Sequence, residues 1–360
     1  MSVMRKCVCS LGDYMKVVSE IEQRRPGKYT SPSILWFRGQ SNAEYSLIPS
    51  LFRTKAFAKK KEQAGNYTKL HYAEDIRTQH YIAKNFHLLN KEPSSRVEWL
   101  EVMQHHQIYT RVLDWSESSM HSLLFALEPF FDESKYKEGE RKKCVPCVWV
   151  LNPQMLNRKI IEYLKEDQYL QKALMKDLKL SKIEQWKILK KLRIYGDTDE
   201  YSETDETAHI DHIVNLSSIN DEILRDRSRL KELLVEGDVM NPYYYLLTRI
   251  YSDGYVLEDR KLPPLCVVHP YHSERIKAQK GVFSVFPFYK NQPWESDLRK
   301  NSINPDAMDY NAMAAECLCQ IIIKNPQKVA LQMMSNGMNT SWLYPEMPIV
   351  SSEIENHRII

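Results

Sequence analysis

Short, wholly apolar runs alternate along this chain with longer stretches whose apolar residues recur at helical spacing. Ile34-Leu35-Trp36-Phe37 is an unbroken apolar run stopped by Arg38-Gly39, and it predicts a buried strand. From about 54 to 106 the pattern is mostly helical, with Lys55, Lys59, Lys60 and Lys61 on its early part. Ser95-Arg96-Val97-Glu98 has the spacing of a capping box and predicts the start of a helix carrying Trp99, Leu100, Met103 and His105. Thr110 to Trp115 alternates between apolar and polar, which predicts a second strand. Ser116-Glu117-Ser118-Ser119 then supplies helix-start residues, with Ser116 as the N-cap, before Leu123-Leu124-Phe125-Ala126-Leu127. Val145 to Leu151 reads as a further strand ended by Asn152-Pro153.

From about 154 to 251 the pattern turns helical. Ser181-Lys182-Ile183-Glu184 is another capping box, and Ile183, Trp186, Leu189 and Leu192 fall on one stripe. Asp197 to Glu206 holds six acidic residues in ten and predicts a solvated loop, with His209 and His212 on the surface beside it. Strand patterns return at Leu265–Val268, Val282–Phe286 and Cys317–Ile323, and a last helix is expected over about 326–336. The fold class that follows is α+β: a mixed or antiparallel sheet holding Arg38 and Arg111, flanked by helices. The expected divisions are a first module at 1–152, a helical insertion at 153–262, and C-terminal strands and a helix at 263–360 completing the sheet domain.

Composition narrows this picture mainly by exclusion. Hydrophobic content of 43% and charged content of 27% are ordinary for a water-soluble globular chain. A net charge of +3 is too small to predict a nucleic-acid binder without a local patch. Lys55, Lys59, Lys60 and Lys61 lack the interleaved aromatics of a base-stacking platform and read as a solvated helix face. No apolar run reaches membrane-spanning length, and Met1 to Tyr14 lacks a signal-peptide core, so a cytoplasmic protein is expected, with no membrane partner.

The ten glycines include no pair spaced for GxGxxG or a Walker loop, so any bound nucleotide must be held by side chains and a helix terminus. The seven cysteines, an odd number, argue for reduced thiols. Cys144-Val145-Pro146-Cys147 has half the spacing of a zinc or redox site, but no second CxxC completes it, and plain buried thiols are the favoured reading. No resident metal is expected. Glu101 and His105 share a helix face, yet no third ligand follows at suitable spacing.

The chemistry gathers in two dense motifs. Trp36-Phe37-Arg38-Gly39-Gln40 ends a strand with a guanidinium next to a glycine, a combination that lets a phosphate or carboxylate approach the backbone. The alternative is an arginine tied to an acid such as Asp114. Some seventy residues on, Gln104-His105-His106-Gln107-Ile108-Tyr109-Thr110-Arg111-Val112-Leu113-Asp114-Trp115-Ser116 adds a second arginine, two histidines and a strand-to-helix junction. Arg111 carries the same ambiguity, with Asp114 three residues away. Ser116 and Ser118 lie at a helix N-terminus, which attracts anions. One of His105 and His106 is expected to face the site and the other to face away. A neutral histidine there would serve as acid, base or hydrogen-bond donor.

These motifs, together with Ile48-Pro49-Ser50-Leu51-Phe52-Arg53, resemble the FRG domain, a family named for its Phe-Arg-Gly motif. Arg275 to Phe283 and the ending around Tyr344-Pro345-Glu346 are similar to later parts of FRG-domain proteins, so the resemblance spans most of the chain except roughly 153–262. A second resemblance is to ADP-ribosyltransferases of the Arg-Ser-Glu type. Trp36-Phe37-Arg38-Gly39 looks like their first motif, and Ser116-Glu117-Ser118 with Ser122 to Ala126 looks like their strand-to-helix motif. Gln279 and Gly281 stand where that family carries the carboxylates of a Glu-x-Glu strand, leaving Glu117, Asp114 or Glu316 to substitute.

The resemblance implies an ADP-ribosyltransferase-like fold and NAD, or a related phosphorylated nucleotide, as ligand. It implies Arg38, Gly39, Gln40, Thr110, Arg111, Ser116 and Ser118 at the ligand, with His105, His106, Asp114 and Gln279 placed for chemistry. It also implies a toxin-type effector of bacterial anti-phage defence with a protein or nucleic-acid target. The alternative is a non-catalytic module that binds a phosphorylated ligand, nucleic acid or a partner protein.

Overall fold

A computed structural model describes residues 3–23, 35–53, 68–85, 87, 93, 96–131, 145–167, 170, 247–252, 254–258, 261–268, 274–289 and 307–344. In chain order the elements are β1 (Met4–Val8), α1 (Leu11–Gln23), β2 (Trp36–Gln40), α2 (Thr68–Asn85), α3 (Arg96–His105), β3 (Val112–Ser116), α4 (Ser119–Phe131) and β4 (Cys147–Leu151). There follow α5 (Pro153–Glu166), β5 (Val256–Leu257), β6 (Leu265–Val267), α6 (Glu274–Ala278), β7 (Gly281–Val285), β8 (Phe288–Tyr289), α7 (Ala312–Ala315), β9 (Leu318–Ile323) and α8 (Pro326–Ser335).

Seven strands form one sheet in the order β1-β9-β4-β2-β3-β7-β6. Only β1 with β9 is parallel in it; the other neighbours are antiparallel. The sheet is thus mixed and mostly antiparallel, with helices on both sides. β5 and β8 make a separate two-stranded parallel pair.

The central strands explain the wholly apolar runs. Every residue of β4 is buried, because both faces of the sheet are covered. Alternation sends Trp36, Trp149 and Leu151 into one core with Leu100 and Met103 of α3 and Leu156 and Ile160 of α5. It sends Phe37, Val148 and Val150 into a second core with Tyr14 of α1, Leu123 and Leu127 of α4, and Val329 and Met333 of α8. Asn152 ends β4 and also caps α5 by accepting from the Met155 amide, with Pro153 at the first helical position, so Asn-Pro both stops a strand and starts a helix.

Several boundaries move from their sequence positions. The alternation beginning at Thr110 becomes a strand only from Val112, because Thr110 is held by side chains instead of a strand neighbour. β1 and α1 are not anticipated by the pattern; β1 is an edge strand with three exposed residues and shows little alternation. Of the stretch expected to be helical from 154 to 251, α5 and a wide helical turn at Thr248–Ser252 are described. Lys55 to Lys61, Cys144, the segments 181–192 and 197–206, and His209 and His212 lie outside the described residues. Among the described residues, no helix is long and apolar enough to cross a membrane.

Candidate functional site

The sheet parts between β2 and β3. β2 pairs with β4 along its whole length, and β3 pairs with β7 along its whole length, yet β2 and β3 meet only at Phe37 and Ser116. Peptide groups alternate along a strand, and the hydrogen bonds flanking β3 show which way they point. The Arg111 carbonyl accepts from the Phe286 amide at 3.0 Å, and the Glu117 amide donates to the Lys280 carbonyl at 3.0 Å. Those groups face β7, so the carbonyls of Val112 and Asp114 face the gap left by β2. An unpaired buried carbonyl costs about 1–3 kcal/mol.

Two side chains stitch that gap. Arg38 Nη1 donates to the Asp114 main-chain oxygen. Gln104 Nε2 donates to the Val112 carbonyl at 3.2 Å and to Asp114 Oδ2 at 3.0 Å, while Gln104 Oε1 accepts from the Thr110 hydroxyl. The Asp114 carboxylate adds a looser ion pair to Arg38 at 3.9 Å. Burial lowers the Arg38 pKa and Asp114 opposes that fall; a guanidinium stays charged throughout.

A cavity of about 510 Å³ opens at this parting, large enough for a small organic ligand. Phe37, Arg38 and Gly39 line it from β2, and Asp114, Trp115 and Ser116 line it from β3. Glu101, Gln104 and His105 come from α3, and Ser122 and Phe125 come from α4 on the other side of the sheet. Arg275, Ile276, Gln279, Gly281 and Phe283 close the far wall, and Gln107, Ile108, Tyr109 and Ser50 complete it.

The Phe-Arg-Gly residues divide the work of building it. Phe37 is buried against α4, and Arg38 stitches the gap. Gly39 lets α4 come close, since a Cβ there would lie 1.9 Å from the Ser122 carbonyl oxygen and 2.6 Å from the Ala126 amide. Two non-glycine residues in left-handed conformation sit beside the cavity, Gln107 (φ 63°) in its wall and Lys280 (φ 49°) between Gln279 and Gly281. Gln107 closes α3 in a Schellman-type turn, with the Ile108 amide bonded to the Met103 carbonyl.

Of the residues expected at the site, Arg38, Gly39, His105, Asp114, Ser116 and Gln279 line this cavity. Arg38 therefore meets both descriptions: it is tied to Asp114, and its side chain, 20% exposed, also faces the cavity. The expectation that Arg111 shares the cleft is corrected. Arg111 is fully buried, 2.9 Å from Glu74 Oε2 of α2, and donates to the Phe286 and Ser252 carbonyls while stacking over Phe288. Its partners face away from the parting because Arg111 precedes β3 and departs from the other side of the strand.

His106 is exposed and packs against Tyr81, as helix geometry requires of the residue next to His105. Gln40 lies outside the lining, accepting from the Trp149 indole at 2.7 Å. Thr110 is buried behind it, bonded to Ser50 and Gln104. Ser118, not Ser116, caps α4, accepting from the His121 amide at 3.3 Å. Ser116 is the last residue of β3, and its hydroxyl is committed on both sides, donating to the Gln279 carbonyl at 2.6 Å and accepting from the Ser118 amide at 3.0 Å. The Gln279 amide donates to the Leu343 carbonyl at 2.7 Å.

Glu101, Ser122 and Arg275 also line the cavity and were not singled out for the site. Glu101 was visible only as a helical neighbour of His105, and it is 1% exposed. Arg275 stacks on Tyr344 with its guanidinium 4.6 Å from the ring centroid. Of the carboxylates expected to substitute for the missing glutamate, Asp114 lines the cavity, whereas Glu316 pairs with Lys159 elsewhere and Glu117 is not in the wall. Burial raises the Glu117 pKa, with Lys280 opposing. Cys147 is a buried thiol pushed up to about 12 by burial, which keeps it protonated and unreactive. Among the described residues, no three His, Cys, Asp or Glu side chains gather as a metal site.

The fold and site define a protein with a mixed, mostly antiparallel sheet flanked by helices and a cavity at the parting of that sheet, lined in part by a Phe-Arg-Gly strand. Residues 33–135, under a third of the chain, match the sequence model of the FRG domain, so this segment carries an FRG domain. The match takes in β2, α2, α3, β3 and α4 and so includes the near walls of the cavity. No curated protein and no solved structure matches the chain.

Proposed function

We propose that the cavity binds a phosphorylated nucleotide of the NAD or ADP-ribose type, with Arg38 directed at its phosphates. The observation that carries this reading is Arg38 itself. One of its Nη atoms holds the parted sheet together, yet its Nε is buried without a hydrogen-bond partner and the side chain lines the cavity. A charge-assisted contact from a guanidinium to a phosphate is worth on the order of 1.5–3 kcal/mol. Arg275 adds a second cation in the opposite wall. Phe125, Phe283, Tyr109 and Ile108 offer apolar and aromatic surface for a base or nicotinamide ring.

In this reading the chain is ADP-ribosyltransferase-like, an expectation that rests on its motif resemblance. Cleavage of the nicotinamide–ribose bond needs a carboxylate near the developing cationic sugar, and Asp114 and Glu101 are the two in the cavity wall. The bond to nicotinamide breaks with its electron pair leaving on the ring nitrogen, and water or an acceptor nucleophile takes the ribose carbon. The effector role in defence, with a protein or nucleic-acid target, belongs to the same reading as the destination of the ADP-ribosyl group.

A second reading, a non-catalytic phosphate-ligand module, is favoured by a specific observation. The Ser116 hydroxyl and the Gln279 amide, which the first reading would use at the ligand, are committed to main-chain partners. One experiment separates them. The protein is melted with millimolar NAD and ADP-ribose, and free nicotinamide is measured in parallel, with Arg38→Ala as control. Ligand at a hundred times its dissociation constant should stabilise the fold by about 2.7 kcal/mol. A melt shift with nicotinamide release supports the transferase or glycohydrolase reading, and a shift without release supports the binding module. An unchanged melt with both ligands refutes nucleotide binding.

A further inference from the structure

We infer that Tyr344 is a positioning residue for the cavity: it sets the Arg275 guanidinium in the far wall, where Arg275 holds an anionic group of the ligand. This rests on the nucleotide reading above and names the residue that aims its second cation. Arg275 belongs to α6, a helix of five residues, and lines the cavity. A guanidinium on a long flexible stem loses rotamer freedom when it engages a ligand, so an arginine held in place beforehand binds an anion more tightly than a loose one. The Tyr344 ring supplies that hold. The guanidinium carbon lies 4.6 Å from the ring centroid, within cation–π range. Stacking uses the flat face of the guanidinium, whereas its N–H donors point outward in its plane, so one group can stack and bind an anion together.

Tyr344 is itself fixed. Its ring meets Phe125 of α4 edge-on, with centroids 6.3 Å apart and planes at 87°. The preceding residue, Leu343, is fully buried in the core beneath α4, and its carbonyl accepts from the Gln279 side-chain amide at 2.7 Å. Phe125, Arg275 and Gln279 all line the cavity, while Leu343 and Tyr344 do not. These two residues therefore grip three wall side chains from behind, one on α4, one on α6 and one just after it. Core packing accounts for Leu343. It does not account for an aromatic ring at the half-buried position 344, which touches two wall side chains.

The test uses the full chain, with inorganic pyrophosphate and NAD as probes and calorimetric titration as the readout. Wild type should bind both. Arg275→Gln should weaken both about 10–100-fold, the cost of a hydrogen bond between charged groups. Tyr344→Leu should weaken both about 3–10-fold, the worth of a cation–π contact, and Tyr344→Phe, which keeps the ring, should restore wild-type affinity. Arg275→Lys keeps the charge without the planar fork and should bind several-fold more weakly than wild type, a check that leaves Tyr344 untouched. The deciding measurement is the double variant. If Tyr344 acts through Arg275, Tyr344→Leu should have no further effect once Arg275→Gln is in place. An equal loss in both backgrounds would mark Tyr344 as merely structural and overturn the proposal. Undiminished binding by Arg275→Gln, Arg275→Lys or Tyr344→Leu would also overturn it, while leaving nucleotide binding intact. Pyrophosphate binding that shows the coupling without any NAD binding would refute the nucleotide reading and keep the Tyr344–Arg275 anchor. Failure of wild type to bind either probe would overturn both.

Discussion

Gly39 is the residue on which the site's geometry turns most directly. A methyl group at this position would meet a carbonyl oxygen at 1.9 Å and an amide nitrogen at 2.6 Å, both belonging to the α4 backbone. Neither can swing aside as a flexible side chain would. Gly39→Ala should therefore cost about 3 kcal/mol or more, at the upper end of overpacking, as α4 is forced off β2. Gly12→Ala is the matched control, because the nearest atom to a Cβ there is the Ser10 hydroxyl oxygen at 3.9 Å, an ordinary contact distance. Urea denaturation of the two variants should show a large drop in midpoint for the first and a small one for the second; equal drops would refute the close-approach argument. The motifs mark Arg38, Gly39 and Asp114 as partners of a ligand or of each other. They do not show that Arg38 bonds the Asp114 peptide, because which carbonyl is orphaned depends on β7, more than 160 residues downstream.

At the scale of elements, the second arginine binds the structure rather than the cavity. Arg111 and Glu74 form a fully buried ion pair that ties the entry to β3 onto α2, and Arg96 of α3 joins through Asp75. Removing one partner of such a pair strands a charge and typically costs about 3–5 kcal/mol, whereas replacing both by apolar groups is much milder. Glu74→Leu alone should lower stability by that amount, and Glu74→Leu with Arg111→Met should recover most of it. A chemical-denaturation cycle over the four proteins measures this, and a double variant no more stable than Glu74→Leu would contradict it. The dense motif around it placed Arg111 at the ligand, with Asp114, three residues away, as its alternative partner, and alternation says only that the two side chains differ in direction. The choice of direction came from Glu74, which no motif marks. The central strands and α4 were legible from their unbroken apolar runs. The edge strand β1 was not, since a strand paired on one side needs no apolar face.

The whole molecule places its site at the join of segments far apart in the chain, and this decides what the family-matching segment can do alone. Residues 33–135 carry β2 and β3, yet these two strands share a single register pair. Their full-length partners are β4 at Cys147–Leu151 and β7 at Gly281–Val285, both beyond the match. The far wall of the cavity, with Arg275 and Gln279, also comes from beyond it. Cut out, the segment would expose both edges of β2 and β3, with most of their peptide groups unpaired and the apolar faces of Trp36, Val112 and Trp115 uncovered. A fragment of residues 33–135 should therefore show no cooperative unfolding transition and should bind the dye that marks exposed apolar clusters. The full chain should unfold in a steep transition, with a denaturant dependence that reflects the larger surface it buries. Circular dichroism and urea titration of the two proteins provide the test. A fragment that unfolds cooperatively and binds pyrophosphate like the full chain would show that the parted sheet closes without β4 and β7. The cavity would then belong to the FRG segment alone.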